Sequence, residues 1–274
     1  MDEDYQLPRT VLLKDWTYQD YEISAAIASW GDALGFVNGE NKGGVVVADT
    51  VGHVKKSGDR MQKFLDEEIS NGWGEEENAK EALINLSNRL SIAKGFDLVD
   101  FGNDLINGMI HADEVPTISN LWCDGVSVNY VQLSSDGLTF SNAGDCLGLH
   151  VKKDTPEMIA YNGSTLDKAY KKLEKFYQTT ILPDETFLIY SDGFINNALS
   201  RIQRTNGLLG NPQIEDLSKK VLEIFAEVVR RSKTALETRD NLIKPPYGDL
   251  FLPLATPYYR GGDDVTFAVI KRKP

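Results

Sequence analysis

The sequence predicts an α+β fold in which α-helices cover both outer faces of two stacked antiparallel β-sheets. Strand-like runs, two helical stretches, hairpin-forming runs, further helices and a last strand follow one another along the chain. Asp136-Gly137 lies between two alternating apolar runs, which is a strong hairpin signal and implies antiparallel pairing. The chain has 274 residues, 41% of them hydrophobic, so we expect a single domain over residues 1–274.

The first half of the chain begins with strands. Residues 21–36 alternate loosely and break at Gly31, and the turn-forming residues 39–43 come next. Residues 45–49 are three valines followed by Ala48 and Asp49. This run predicts a buried strand that ends on a polar residue.

Two helices and then a hairpin region are predicted after this strand. Apolar side chains recur at helical spacing over residues 58–70 and over residues 77–93. Residues 117–152 predict two or three strands joined by turns. The predicted stripes consist of Met61, Phe64, Leu65 and Glu68 in the first helix and Ala79, Leu83, Leu86 and Leu90 in the second.

The second half combines helices with two short strands. Residues 164–178 predict a helix, residues 186–192 a buried strand, and residues 212–237 the longest helix. Residues 238–262 are rich in Pro and Gly and predict a loop, and a last strand follows over residues 263–271. We expect the aromatic residues of that loop to pack against the domain rather than to form a docking surface; they are Tyr247, Phe251, Tyr258 and Tyr259.

Charge and cysteine content narrow the possible partners and compartment. The formal net charge is −12, and an acidic surface repels a phosphate backbone, so we expect no nucleic-acid partner. Two cysteines, Cys123 and Cys146, do not make a disulfide framework, which favours a reduced, cytoplasmic location. The acidic N-terminus is not a signal peptide, and no apolar run is long enough to cross a membrane.

Three aspartates lie where an apolar strand meets a loop: Asp49, Asp192 and Asp263. A carboxylate at such a place is costly unless it is paired or binds a cation. Hard divalent cations prefer oxygen ligands of this kind. An aspartate after a strand is also typical of a turn or a helix cap. Spacing alone therefore leaves both interpretations open.

Other catalytic schemes lack their motifs. The chain has three histidines and neither HExxH nor CxxC spacing, so a zinc site is not predicted. It also has neither a GxSxG nucleophile elbow nor a GxxxxGK[ST] phosphate loop. We expect His111 and His150 to be ordinary core or surface residues and both cysteines to be small buried hydrophobes.

Five segments, in chain order, carry a family resemblance. They are Gly31-Asp32, VVVADTVGH (45–53), FSNAGDCLGLH (140–150), FLIYSDGFIN (187–196) and GGDDVTFAVI (261–270). Together they resemble the metal-dependent protein phosphatases (the PPM, or type 2C, family), and in particular the bacterial branch typified by stage II sporulation protein E. The resemblance covers nearly the whole chain. It implies a four-layer sandwich of two antiparallel sheets flanked by helices, with two Mg²⁺ or Mn²⁺ ions bound between the sheets.

The resemblance also implies roles for individual residues. Asp49 would bridge the two ions, and the backbone carbonyl of Thr50 would be a further ligand. Asp192 and Asp263 would hold the ion that Asp49 shares. Asp32 would hold metal-bound water. His53 would either donate a proton to the leaving oxygen or make a structural hydrogen bond.

The chain departs from the family pattern at two positions. Val54 replaces the last glycine of the first motif, and Asp145 stands where the bacterial branch prefers histidine. Asp264 occupies the Asp/Asn position beside the predicted ligand Asp263. No arginine lies in an obvious phosphate-binding position near the first motif.

The implied function is hydrolysis of phosphoserine or phosphothreonine in a protein substrate, such as an anti-sigma-factor antagonist, by a metal-activated water. One alternative is a haloacid-dehalogenase-like phosphatase with Asp49 as nucleophile. That family needs a second aspartate two residues later, where this chain has Val51, and it needs a parallel sheet. The other alternative is a phosphatase-like module that binds without catalysing. Membranes are not expected as partners.

Overall fold

Two antiparallel sheets lie face to face in a computed structural model of the chain, and helices cover both outer faces. The structure describes residues 12–29, 31–50, 55–106, 125–152, 156–159, 177–205, 214–248 and 264–274. The described strands are β1 (Leu12–Tyr18), β2 (Tyr21–Ala28), β3 (Asp32–Asn38), β4 (Gly43–Thr50), β5 (Val126–Ser134), β6 (Gly137–Ala143), β7 (Leu147–Val151), β8 (Pro156–Ile159), β9 (Tyr177–Thr179), β10 (Thr186–Tyr190) and β11 (Val265–Arg272). The described helices are α1 (Lys55–Ser70), α2 (Ala79–Ile106), α3 (Asp192–Thr205), α4 (Ile214–Arg231) and α5 (Ala235–Ile243).

The strands are divided between a six-stranded and a five-stranded sheet. We call them sheet A, with the order β1-β2-β11-β10-β7-β8, and sheet B, with the order β3-β4-β5-β6-β9. Every described neighbouring pair is antiparallel. The predicted fold class is therefore confirmed.

Alternation along β4 shows how the sequence builds the layers. Val45 and Val47 belong to the apolar cluster between the sheets, whereas Val46 and Ala48 belong to the cluster under α1 and α2. All residues of β4 are buried, because this central strand is covered on both faces. Burying a valine side chain contributes about 1.5–3 kcal/mol relative to leaving it exposed.

The outer faces are covered by amphipathic helices. α1 and α2 pack on sheet B, and α3, α4 and α5 pack on sheet A. The predicted apolar stripes of α1 and α2 are buried, and Glu68, also predicted on the stripe, pairs with Arg89. No helix in the described part of the chain is long and apolar enough to span a membrane.

The single helix expected over residues 212–237 is wrong. α4 ends at Arg231 and α5 begins at Ala235. Thr234 is the N-cap of α5, since its Oγ1 accepts a hydrogen bond from Glu237 N at 3.0 Å. The loop expected from residue 238 is also wrong at its start, because residues 238–243 belong to α5.

Three further elements differ from the sequence-based expectation. The strand expected over residues 186–192 ends at Tyr190, and Asp192 begins the unpredicted helix α3. Residues 177–178, expected to end a helix, lie in β9, and the rest of that expected helix lies outside the described residues. β1 was not predicted either, because most of its side chains are exposed and show no buried face.

The expectations for isolated core residues fit the structure where it describes them. His150 is buried, with Nδ1 3.0 Å from the Tyr177 hydroxyl and Nε2 3.1 Å from Glu185 Oε2. Cys146 is a free, buried thiol. Tyr247 packs against the cluster between sheet A and its helices. The other residues of these expectations lie outside the described part: His111, Cys123, Phe251, Tyr258 and Tyr259.

Candidate metal centre

A row of polar side chains lies at one end of sheet B. Asp32 of β3 is the register partner of Asp49 of β4, which is in turn the partner of Ser127 of β5. Residues directly opposite each other on neighbouring strands project from the same face of a sheet. Leu34 and Val47, two residues further along, belong to the cluster between the sheets. Asp32 and Asp49 therefore face the space between the sheets, and each is only 8% exposed.

Sheet A contributes a third carboxylate to this end of the sandwich. Asp264 immediately precedes β11 and is buried. Its Oδ2 accepts a hydrogen bond from the amide of Gly31 at 2.9 Å, which joins the start of β11 to the segment before β3. The Ser191 hydroxyl, next to Asp192, accepts from Thr266 N at 2.9 Å and donates to Asp264 O at 3.4 Å.

Asp32 is the most strongly perturbed carboxyl of this group. Burial, and then the negative charge of Asp264, raise the pKa of Asp32 to about 7. Neither of its carboxylate oxygens has a hydrogen-bond partner among the described residues. Nearby hydroxyls only moderate the rise in the pKa; they belong to Thr266, Ser29 and Ser191. A buried carboxylate without partners is the kind of group that a cation stabilises.

Asp192 lies at the first residue of α3 and is half-buried. Its Oδ2 accepts a hydrogen bond from Asn196 Nδ2 at 3.0 Å. A negative charge is favourable at a helix N-terminus. Asp192 therefore begins a helix, and its role as a metal ligand stays a prediction.

The thiol of Cys146 shows that the acidic residues converge. The pKa of this thiol is raised well above its ordinary value, first by burial and then by the charge of four carboxylates: Asp49, Asp32, Asp145 and Asp192. Asp32 and Asp49 lie in sheet B, Asp145 lies between β6 and β7, and Asp192 begins α3 after β10 of sheet A, so the thiol is affected by carboxylates from several elements.

Asp145 lies exposed at the rim of this end and is held by Ser127. The Ser127 hydroxyl donates to Asp145 Oδ1 at 2.5 Å and accepts from Asp145 N at 3.3 Å. Gly144 makes this approach possible. Its φ is +92°, and a Cβ there would lie 2.1 Å from Ser127 Oγ.

The structure places Asp32, Asp49 and Thr50 at the paired ends of β3 and β4 and Asp192 at the start of α3, and it does not describe Asp263 or His53. Within the described ranges, no three His, Cys, Asp or Glu side chains are close enough to form a complete metal cluster. The residues present nevertheless fit a hard divalent cation, because they offer carboxylate oxygens in a buried place and those of Asp32 are unpartnered. Asp263 stays a predicted ligand.

The hydroxyls near the acidic residues were not predicted from the sequence. Ser127 and Thr266 lie on strands, and Ser29 and Ser191 directly follow strands, so their contacts depend on strand pairing, which a single polar residue in a sequence does not reveal. For Thr266 the signal would have been a polar residue in the buried strand β11, two positions after Asp264, since polar residues are rare in a buried strand.

No protein-family model matches the chain, and no curated protein matches its sequence. Solved structures do match. RsbX in complex with magnesium is 9% identical with a TM-score of 0.55, and the match covers 96% of this chain and 100% of RsbX. The PP2C phosphatase domain of SpoIIE from Bacillus subtilis is 13% identical with a TM-score of 0.54, covering 96% of this chain and 70% of that one. The catalytic domain of the serine/threonine protein phosphatase PstP with 2 manganese ions is 10% identical with a TM-score of 0.53, covering 97% and 100%. The chain therefore has the PP2C phosphatase fold.

Proposed function

We propose that this protein is a metal-dependent phosphatase that hydrolyses phosphoserine and phosphothreonine in a protein substrate. The observation that carries the proposal is the pairing of Asp32 with Asp49 at one end of the space between the sheets, where the Gly31 amide beside Asp32 donates to Asp264. Two similar structures contain magnesium or manganese, and two are PP2C or serine/threonine phosphatases. The fold and the acidic cluster thus support the same activity.

The residues of this centre would divide the work. Asp49, the Thr50 carbonyl, Asp192 and Asp263 would hold the cations, and Asp32 would accept a hydrogen bond from coordinated water. When bound, Mg²⁺ or Mn²⁺ would activate a water for attack on phosphorus and offset the charge of the phosphoryl oxygens.

The protein itself makes the centre selective for cations. Asp32 and Asp49 lie on neighbouring strands with their side chains on one buried face, and the negative charge of Asp264 raises the pKa of Asp32, so carboxylates repel in this environment. A divalent cation removes that repulsion, and a phosphate group alone would increase it. We therefore expect the phosphorylated substrate to bind only when cations are present.

The strand pairing decides one of the two alternative functions. The hypothesis of a haloacid-dehalogenase-like phosphatase is wrong, because every described strand pair is antiparallel and that family needs a parallel sheet. A non-catalytic binding module would keep the same fold, so only an assay separates it from the proposed enzyme. The substrate we propose is a cytoplasmic phosphoprotein, such as an anti-sigma-factor antagonist, on the strength of the motif resemblance.

Hydrolysis of p-nitrophenyl phosphate and of a phosphothreonine peptide, with Mn²⁺ and with EDTA, tests the proposal. We expect turnover that requires Mn²⁺ and that falls more than about 100-fold in Asp49→Asn, since even outer-shell changes at metal sites cost about 10–100-fold. The matched control is Asp136→Asn in the exposed hairpin turn, which should keep full activity. Manganese binding without any turnover would support the non-catalytic module instead, and equal activity of Asp49→Asn and the natural protein would remove Asp49 from the mechanism.

A further inference from the structure

Hydrogen bonds connect the two sheets through the residues next to Asp49 and Asp32 in the chain, which are Thr50 and Gly31. The Thr50 hydroxyl donates to the carbonyl of Gly31 at 2.5 Å, and the Thr50 amide donates to the same carbonyl at 3.3 Å. The amide of Gly31 then donates to Asp264 Oδ2 at 2.9 Å. One peptide segment therefore connects the end of β4 in sheet B with the start of β11 in sheet A.

Two serines extend this connection to the remaining acidic residues. Ser29 Oγ accepts from Gly31 N at 3.0 Å and from Asp32 N at 2.8 Å. Ser191, which precedes Asp192, bonds through its hydroxyl to both Asp264 O and Thr266 N. Each predicted ligand or water-holding aspartate in the described part is thus one residue from a member of the network, or belongs to it.

We propose that Thr50 is a positioning residue whose hydroxyl fixes the separation of Asp49 and Asp32 for metal binding. The proposal rests on the metal-dependent phosphatase function above and adds a role for the side chain of Thr50, of which only the backbone carbonyl was expected to act. We call the set Thr50, Gly31, Asp264 and Ser29 the cross-sheet clamp.

Register explains why the clamp is needed at this point. The pairing of β3 with β4 ends at Asp32 and Asp49, so the ladder does not continue past the two carboxylates. Beyond them, the hydrogen bonds that join the ends of β3 and β4 in the described part of the chain run from Thr50 to Gly31, and Thr50 also pairs with Val126 of β5. These contacts are buried, so water does not replace a lost hydroxyl.

The position of the two strand ends depends on the clamp. Asp32 and Asp49 lie opposite each other on one buried face, and the contacts of Thr50 with Gly31 hold the ends of their strands together. The same contacts hold the peptide that carries the Thr50 carbonyl. Loss of the hydroxyl would therefore make the positions of two proposed metal ligands less well defined, the Asp49 carboxylate and the Thr50 carbonyl, without removing either.

Binding of Mn²⁺ tests the proposal independently of turnover. Free Mn²⁺ is measured by its EPR signal during titration of the natural protein, Thr50→Val and Thr50→Ser. Valine has the shape of threonine without the hydroxyl, and serine keeps the hydroxyl. We expect Thr50→Val to weaken Mn²⁺ binding roughly 10–100-fold and Thr50→Ser to restore most of it. The matched control is Thr186→Val, because Thr186 is also fully buried and its hydroxyl has no partner in the described structure.

The outcomes separate the clamp from the phosphatase proposal. If the natural protein binds no Mn²⁺, the metal centre itself is refuted. If it binds and Thr50→Val binds equally well, the clamp is refuted while the phosphatase proposal stands. If Thr50→Val does not fold by near-ultraviolet circular dichroism, Ser29→Ala decides instead, with weakened binding expected and unchanged binding counting against the clamp.

Discussion

Replacement of Asp32 by asparagine should stabilise the metal-free protein at neutral and alkaline pH. Asp32 is 8% exposed, and neither of its carboxylate oxygens has a hydrogen-bond partner in the described structure. Its charged form is therefore disfavoured in the folded state, and its pKa is raised from 3.8 to about 7. Asparagine is neutral and has nearly the same shape, so it removes the charge without opening a cavity.

The sign and size follow from linkage. A carboxyl whose pKa is higher in the folded state binds more protons there, so the natural protein loses stability as pH rises from about 4 to about 7. The rise of the pKa from 3.8 to about 7 corresponds to about 4 kcal/mol. The new amide group of asparagine, if unpaired, costs about 1–3 kcal/mol. We expect Asp32→Asn to be more stable than the natural protein by about 1–3 kcal/mol at pH 8 and less stable by a similar amount at pH 4.

Urea unfolding in EDTA, at pH values from 4 to 8, measures this difference. The informative quantity is the change with pH of the difference between the two free energies of unfolding, because titrating groups that do not interact with Asp32 cancel. A difference that stays constant over this range would refute the argument that Asp32 is a buried, unpartnered charge. With Mn²⁺ present, the natural protein should be more stable than Asp32→Asn, because binding of the ion raises the free energy of unfolding of the natural protein and largely fails to do so in the variant.

Two further predictions concern residues that shape the rim and the opposite end of the sandwich. Gly144→Ala should destabilise the protein by at least about 1–2 kcal/mol, because its φ is positive and a Cβ would collide with Ser127; a melting temperature unchanged from the natural protein would contradict this. Glu185→Leu should cost about 1–3 kcal/mol in urea unfolding, since it leaves the buried Nε2 of His150 and the amide of Leu182 without their acceptor. Glu185→Gln keeps an acceptor and should lose less, so equal losses in both variants would contradict the hydrogen-bond explanation.

Strand alternation made much of the fold predictable. The valines of β4 and the Asp136-Gly137 turn are local signals, and each was sufficient for its element. α3 was missed because Asp192 follows a strongly apolar strand, and the helix signal after it is short. The boundary between α4 and α5 was missed because the capping bond of Thr234 to Glu237 outweighs an otherwise continuous helical pattern.

The candidate centre was predictable only in part, for a physical reason. The sequence shows which residues end a strand, so it identified Asp49 and Asp192 as candidates. It does not show which residues face one another across two sheets, because that depends on how the strands are ordered. The bond from Gly31 to Asp264 spans 233 positions of the chain and appears only once β2 and β11 are neighbours.

The same strands that create the core create the electrostatic cost at its end. Every second residue of β4 faces the other sheet: Val45, Val47 and then Asp49. Asp49 therefore places a carboxyl group where an apolar side chain would fit. Asp32 repeats this on β3, beyond Leu34. A sequence that needed only stability would put apolar residues at both positions, because two buried like charges oppose folding. The clamp holds these charges together instead of letting them separate, which is useful only if a cation binds between them. Metal binding should therefore stabilise the end of the sandwich that carries Asp32 and Asp49. We expect the free energy of unfolding to rise more steeply with Mn²⁺ concentration in the natural protein than in Thr50→Val.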